Sequence, residues 1–498
     1  MTAASSGQSP IVDSIDLIEP ADGETPLLVL AGTGSPPATL ALAGSRLRLP
    51  ATIEATDAGW RATIPLRASR WGGPPLPPPP GLYRAGVGLA AAIALPGPRL
   101  VPGQFRVSFA SDGGTLAADF AAPLDDNEHG QQKQAALEAH YLSTDFAPIN
   151  AVFFESFFGQ NASCNPLAID RALAAARPDI ARYWGVRDAS VAVPDGAVAV
   201  IEGSEEWWRI RGSARLIVIN DWLRNRYRKR RGQTVLQTWH GTMLKKLALT
   251  RPGLRIRPAL ATLRERGRWD ILLSQNPYAT RIFRRAYAYF GAVWEEGYPR
   301  DDVLLRGDPD AVRRKLGIPS GMKVLLYAPT WRDDRPDHVD HLDVSTFTEA
   351  LGEGYVTLIR GHSRTLQPGT DLHAGGVIDV TSYPDVSELF LVADALITDY
   401  SSVMFDFSVT GKPIYFFTPD LDRYREVLRG FYFDLIPVAP GPVVQDAAEL
   451  LELVRNPDEV AAAYADKYAA WRRRFNPRDD GQAADRVVAR LLRDGILG

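Results

Sequence analysis

The chain is poor in cysteine: Cys164 is its one thiol among 498 residues, which excludes an intramolecular disulfide and any cluster of cysteine metal ligands. It also lacks a charge excess. Its 56 Lys and Arg against 59 Asp and Glu leave a net charge of −3, so the molecule as a whole carries no nucleic-acid signature. No apolar run is long enough to cross a bilayer, and the longest, Ala85 to Leu95, is broken by glycines. The first residues, MTAASSGQSPIVDSIDLIEP, have no basic stretch ahead of an apolar one, so no signal peptide is expected. Neither a Walker A loop nor a Gly-x-Gly-x-x-Gly fingerprint stands at a strand–helix junction, which argues against a P-loop NTPase or an ordinary dehydrogenase. HExxH and His/Cys clusters are missing too, and His338 and His341, three apart among aspartates, read as a polar loop rather than a metal site. No period of 20–50 residues repeats, which excludes a solenoid.

What is present falls into three textures. Residues 1–125 alternate polar and apolar positions in short stretches such as TIEATDAGWRATIPL, separated by Gly and Pro, the pattern of a small β-rich accessory domain. Within it WGGPPLPPPPG (71–81) is a stiff loop, read as rigid surface rather than as a proline-motif ligand. After a polar linker at 124–134 the pattern changes. NAVFF, AVAVIEG, RLIVIND, TVLQTW and DILLSQ alternate with helical stretches, and after Gly317 the alternation restarts with KVLLYAPTW, YVTLIRGH, GVIDVT, ALITDYSS and KPIYFF. Short apolar runs alternating with helices predict parallel sheets in two α/β units, 126–315 and 316–498, the second carrying the C-terminal helices.

Ligands of open parallel sheets gather beyond the carboxyl ends of the strands. His240-Gly241-Thr242 follows the strand expected at 234–239; the glycine permits a tight turn, and Thr242 or its neighbour is expected to cap a helix whose N–H groups attract an anion. His240 has two readings: a hydrogen-bonded structural histidine, or a general base or phosphate donor. Arg360-Gly361-His362 repeats the arrangement after the strand 355–359. Ser401 and Ser402 precede the helix VMFDFSVTG, as caps or as a phosphate cradle, with Asp406 one turn further. Pro329 and Thr330 close another strand, in YAPTWRDD. The stretch 245–268 has eight Lys or Arg against one acid, Glu265, interleaved with Leu254, Ile256, Leu260 and Leu263. It is either a solvated helix face or a contact for anionic lipid or a polyanion.

FFESFFGQNASCNP (153–166), WHGT (239–242), GYPRDD (297–302), YAPTWRD (327–333), RGHS (360–363), TDYSSVMFDF (398–407) and GKPIYFF (411–417), in this order and spacing, resemble the CDP-glycerol:poly(glycerophosphate) glycerophosphotransferases, the teichoic acid and capsule polymerases. The likeness covers roughly 150–440. Met243 and Ser363 stand where that family commonly has proline, and Asp301 where it has asparagine. The resemblance implies a GT-B architecture, two Rossmann-like domains facing across a cleft. It implies His240 and His362 as the catalytic histidines. Gly241, Thr242, Arg300, Pro329, Thr330, Arg360, Ser401, Ser402 and Asp406 would be the substrate-binding residues. The implied partners are CDP-glycerol or a related CDP-polyol and a polymer or lipid-linked acceptor, with no nucleic acid. No cofactor or protein-held metal is required, and Mg2+ could ride on the donor. The expected location is cytoplasmic, with peripheral contact at an anionic inner membrane face. Two other readings remain open: a nucleotide-sugar glycosyltransferase on the same frame, and a non-catalytic membrane- or polyanion-binding module.

Overall fold

The computed structural model describes residues 10–19, 24–90, 93–224, 226–253, 256–330, 342–361, 373–374, 376–420 and 430–498. His362, Ser363, Trp331, Arg332, His338 and His341 lie outside these, so the expected pairing of His240 with His362 does too.

The first part is a ten-stranded, largely antiparallel sheet whose strands run from Ile11–Ile18 to Thr115–Ala121. Alternation builds it. In Gly59–Pro65 the side chains of Trp60, Ala62 and Ile64 are fully buried while Arg61 and Pro65 face out. Trp60, Tyr83, Phe105 and Phe120 anchor its own core.

Two seven-stranded sheets follow. The first is parallel throughout, in spatial order Val198–Ile201, Ala181–Val186, Ile149–Glu155, Ala214–Ile219, Thr234–Gln237, Ile271–Ser274, Ala292–Glu295. The second orders His373–Ala374, Val377–Asp379, Tyr355–Ile359, Lys323–Ala328, Ala395–Thr398, Ile414–Phe417, Val443–Val444, with the short first strand antiparallel. Ile271–Ser274, Ala395–Thr398 and Ile414–Phe417 are buried at every residue, as strands covered by helices on both faces must be.

Helix boundaries follow local chemistry. Asn276 caps Pro277–Ala286 by accepting from the Ala279 N–H at 2.8 Å, with proline in the first turn. Gly317 ends Pro309–Leu316 in the left-handed conformation. The last helix, Ala483–Arg493, grouped by sequence with the second α/β unit, instead returns to the first. Its Val487, Val488 and Leu491 share a core with Val152, Phe154 and Trp184.

Candidate active site

The site starts from a kink. The strand Thr234–Gln237 ends and Trp239 takes φ 56°, a left-handed conformation that a tryptophan holds only under constraint. The constraints are visible. Gln237 accepts from the Trp239 N–H at 2.8 Å and donates to the Asp221 carbonyl at 2.8 Å, while the Thr238 N–H donates to the Ile219 carbonyl at 2.7 Å. Asn165, on the helix Cys164–Ala176, donates to the carbonyls of Thr238 (3.2 Å) and Trp239 (3.1 Å). Trp239 is thereby wedged edge-on between Phe283 and Tyr287, and the ring of His240 stacks on it at 5.1 Å.

His240 is held on its other side as well. Its Nδ1 lies 2.6 Å from the carbonyl oxygen of Asn220, the residue just past the neighbouring strand. A carbonyl only accepts, so Nδ1 carries the proton and Nε2 holds the lone pair of the neutral ring. Burial, foremost, holds the imidazole below its ordinary value, with the Arg300 cation acting the same way; the Asn220 bond and the carboxylates of Asp221 and Asp406 act against them. Burial also raises the adjacent Asp221. The result at neutral pH is an uncharged histidine of fixed tautomer, the form a general base needs.

No helix begins at Thr242. Residues 241–247 run without helix, and Lys245 bridges to Phe431 instead. The Thr242 hydroxyl is fully buried. It donates to Gln275 Oε1 at 2.5 Å and accepts from Asn276 at 3.0 Å, so it braces the turn and caps nothing. The expected anion-attracting helix start at this position is therefore absent.

The second sheet supplies the facing wall. Beyond Ala395–Thr398, Ser402 precedes the five-residue helix Val403–Phe407 without a capping side-chain bond. Gly241 packs directly against it: a Cβ there would lie 3.2 Å from Ser402 Oγ and 3.7 Å from Arg300 Nη2. Arg300, from the first unit, makes a two-pronged ion pair with Asp406 of the second, Nε to Oδ1 at 3.2 Å and Nη2 to Oδ2 at 2.7 Å. Both side chains are buried, and Arg300 Nη1 reaches Cys164 Sγ at 3.3 Å. Behind the pair lies a carboxylate group. Gln275 donates to Asp301 (3.1 Å) and to Asp479 (3.0 Å). Burial, with the Asp406 charge nearby, pushes Asp301 well above the carboxylate range and Asp479 up to about 7.

The remaining expected residues sit around this centre. The Thr330 N–H donates to both oxygens of Asp399 (2.9 and 3.0 Å), and its hydroxyl accepts from Lys245 at 3.2 Å, which ties Pro329-Thr330 to the turn after His240. Ser401 is half-buried beside Ser402. Arg360 donates to the carbonyls of Val380 (3.2 Å) and Tyr383 (2.8 Å); burial lowers it to about 10, so it stays a cation at neutral pH. The structure thus brings His240, Gly241, Arg300, Ser402 and Asp406 together, with Thr242 and Thr330 bracing them. Arg360 lines an adjoining cavity that does not include His240. Asn165, Asn220 and Phe157, whose ring lies 5.6 Å from His240, were missed by sequence reasoning. A signal existed for two of them, since Phe157 and Asn165 fall in FFESFFGQNASCNP. Among the described residues no group of three or more His, Cys, Asp or Glu is placed to hold a metal ion.

A family model described as CDP-Glycerol:Poly(glycerophosphate) glycerophosphotransferase matches residues 140–493. A teichoic acid glycerol-phosphate transferase of Staphylococcus aureus (strain NCTC 8325 / PS 47) is 36% identical over 371 residues, 69% of this chain and 93% of its own. A teichoic acid poly(glycerol phosphate) polymerase of Bacillus subtilis (strain 168) is 36% identical over 357 residues, 68% of this chain but only 48% of its own. Among solved structures, that of the wall teichoic acid polymerase TagF is similar with a TM-score of 0.68 at 36% identity, covering 73% of this chain and 94% of that one.

Proposed function

The chain belongs to the CDP-glycerol:poly(glycerophosphate) glycerophosphotransferase family, and on that footing we propose that it moves glycerol phosphate, or a related polyol phosphate, from a CDP-activated donor to a hydroxyl of a teichoic acid-like or capsular polymer. An acceptor oxygen attacks the β-phosphorus, the bond to the CMP oxygen breaks, and CMP leaves. The hydroxyl proton passes to His240 Nε2. The single observation that carries this reading is the 2.6 Å bond from His240 Nδ1 to the Asn220 carbonyl, which leaves Nε2 of the neutral ring unprotonated. General-base help of this kind is worth about 10²–10⁴ in rate. Phosphoryl transfer otherwise demands alignment and charge stabilisation. Arg360, Ser401 and Ser402, with Pro329-Thr330, would hold the diphosphate, and His362 would complete the set. Arg300 and Asp406, already paired, would fix the two halves of a GT-B cleft. The step calls on no cofactor held by the protein; any Mg2+ would ride on the donor.

The helix Ile256–Arg266 supports a peripheral place on an anionic, cytoplasmic membrane face. Ile256 (80% exposed), Leu260 (57%) and Leu263 (38%) are outward at helical spacing among arginines. Its one acid, Glu265, is buried, accepting from the Leu223 N–H at 2.6 Å and from Arg268 at 2.9 Å. Among the described residues no helix is long and apolar enough to cross a membrane.

The test is a panel of CDP-polyols and nucleotide sugars incubated with the full chain, with and without a poly(glycerol phosphate) acceptor. CMP release that depends on acceptor supports the reading. Release of a nucleoside diphosphate from a nucleotide sugar, with no CMP from any CDP-polyol, overturns it.

A further inference from the structure

A cavity of about 980 Å³ opens beside the candidate active site, at the upper end of the size of ligand clefts. Three bodies wall it: the antiparallel sheet, the first parallel unit and the second. The antiparallel sheet lies outside the 140–493 span matched by the family model, so this wall is not part of the matched region.

The stiff proline loop builds the seam. Trp71, at φ 53°, packs edge-on against Tyr383 of the second unit at 5.3 Å, and Arg70 donates to Ser382 at 2.7 Å. The loop is therefore not free surface, as the sequence suggested, but a docked strut whose prolines line the cavity. One lip is shared with the site. In the loop 156–161, Phe157 lies against His240 while Gln160 and Asn161 line the cavity, and Arg360 lines it from the opposite unit.

The lining carries cations from several segments. Arg46, Arg171 and Arg187 are exposed to it from three separate segments, and none makes a side-chain hydrogen bond or ion pair with a described residue. The acids of the same wall are engaged. Asp188 accepts from the Ser190 N–H at 2.9 Å, Glu388 pairs with Lys315 at 3.0 Å, and Asp385 accepts from the Ser387 N–H at 3.0 Å.

We propose that this cavity is the subsite for the acceptor, a chain of polyol units joined by phosphodiesters, with Arg46 of the antiparallel sheet and Arg171 and Arg187 of the first unit each engaging a phosphate. Guanidinium groups on separate segments suit single charges repeated along a chain; a diphosphate would concentrate its charge at one point. The inference rests on the proposed transfer reaction and assigns its acceptor side.

Calorimetry on the full chain tests it with two probes, a synthetic tri(glycerol phosphate) and CMP. The triple variant Arg46→Gln, Arg171→Gln, Arg187→Gln is expected to weaken the oligomer by about tenfold or more, the scale of lost charge-assisted hydrogen bonds, and to leave CMP affinity unchanged. Arg46→Gln alone, an exposed change that the fold tolerates, should weaken the oligomer in the same direction. Oligomer binding that is absent from the wild type or untouched in both variants overturns the proposal, and so does a loss confined to CMP, which would assign the cavity to the donor. CMP release from CDP-glycerol by the wild type separates the two readings. Turnover with oligomer binding indifferent to the arginines sinks the subsite alone. Arginine-dependent oligomer binding without turnover on any CDP-polyol sinks the reaction alone.

Discussion

Arg300 and Asp406 join the two parallel-sheet units through a buried, two-pronged ion pair of 3.2 and 2.7 Å. Removing Asp406 leaves the Arg300 cation buried with the looser contact to Asp301 at 3.9 Å; breaking such a buried pair costs about 3–5 kcal/mol, whereas replacing both partners by apolar residues of similar size is far milder. Asp406→Ala is therefore expected to lower the urea midpoint sharply and to abolish turnover. The double variant Arg300→Met, Asp406→Leu should recover most of the midpoint without the turnover. A midpoint for Asp406→Ala equal to that of wild type would show that the pair does not hold the units.

His240 should separate chemistry from stability. Its imidazole is partly buried and, among the described residues, is hydrogen-bonded through Nδ1 alone, and Gln keeps a donor of similar reach, so His240→Gln should unfold at nearly the wild-type temperature. Transfer should fall by about 10²–10⁴. Burial lowers the histidine from its ordinary value of about 6.5, so the neutral, active base persists to lower pH. The acid limb of kcat/KM is expected below about pH 6.5 and should vanish in His240→Gln. An acid limb that survives the substitution would assign the titration to another group.

Gly241 and Ser402 meet where the two walls face each other. The Cβ of Gly241→Ala would stand 3.2 Å from Ser402 Oγ, tight enough to push the walls apart by tenths of an ångström. Misplacement on that scale matters most for alignment in the transition state. The expected result is a drop in kcat larger than the rise in KM, partly rescued by Ser402→Gly in the same chain. Additive losses in the double variant would mean that the two residues do not meet.

These relationships mark where sequence reasoning succeeds and where it stops. The parallel strands were legible because strands buried on both faces read as short apolar runs, as in Ala395–Thr398. His240, Ser401 and Ser402 follow the strands Thr234–Gln237 and Ala395–Thr398, the strand ends at which the sequence set them. The helix expected at Thr242 failed because long-range pairing won over local propensity. The Lys246 N–H donates to the Gly430 carbonyl at 3.2 Å and the Tyr432 N–H to the Leu244 carbonyl at 2.8 Å, a partnership across almost two hundred residues that no local pattern signals. Asn165 was invisible as a brace for the same reason, since its partners Thr238 and Trp239 are distant in sequence. The docking of Trp71 on Tyr383 equally needs the fold.

The carboxylates behind the ion pair predict a pH-dependent stability. Asp479 is raised to about 7 by burial, and Asp301 is raised further above the usual range. In the unfolded chain both would titrate near 3.9. The folded state therefore holds protons that the unfolded state releases, and stability declines as pH rises from about 4 towards 7 and beyond, by at most ~1.4 kcal/mol per pH unit for each group. Urea midpoints at pH 5 and pH 7.5 should differ more in wild type than in Asp301→Asn. Equal pH dependence in the two proteins would remove Asp301 from the account.

The exposed face of Ile256–Arg266 is expected to hold the protein at an anionic lipid surface. Isolated apolar side chains on a surface are common, but three at helical spacing, ringed by arginines and with the one acid turned inward, combine the two forces that hold an amphipathic helix at a lipid interface. Basic residues near an anionic surface contribute about 1 kcal/mol each, and salt screens them. Co-sedimentation with vesicles containing phosphatidylglycerol is therefore expected to weaken as salt rises and to be absent with pure phosphatidylcholine. Leu260→Glu should release the protein from anionic vesicles without altering its unfolding temperature, because Leu260 is 57% exposed and supports no core. Binding retained by Leu260→Glu at the wild-type level would move the membrane contact elsewhere on the chain.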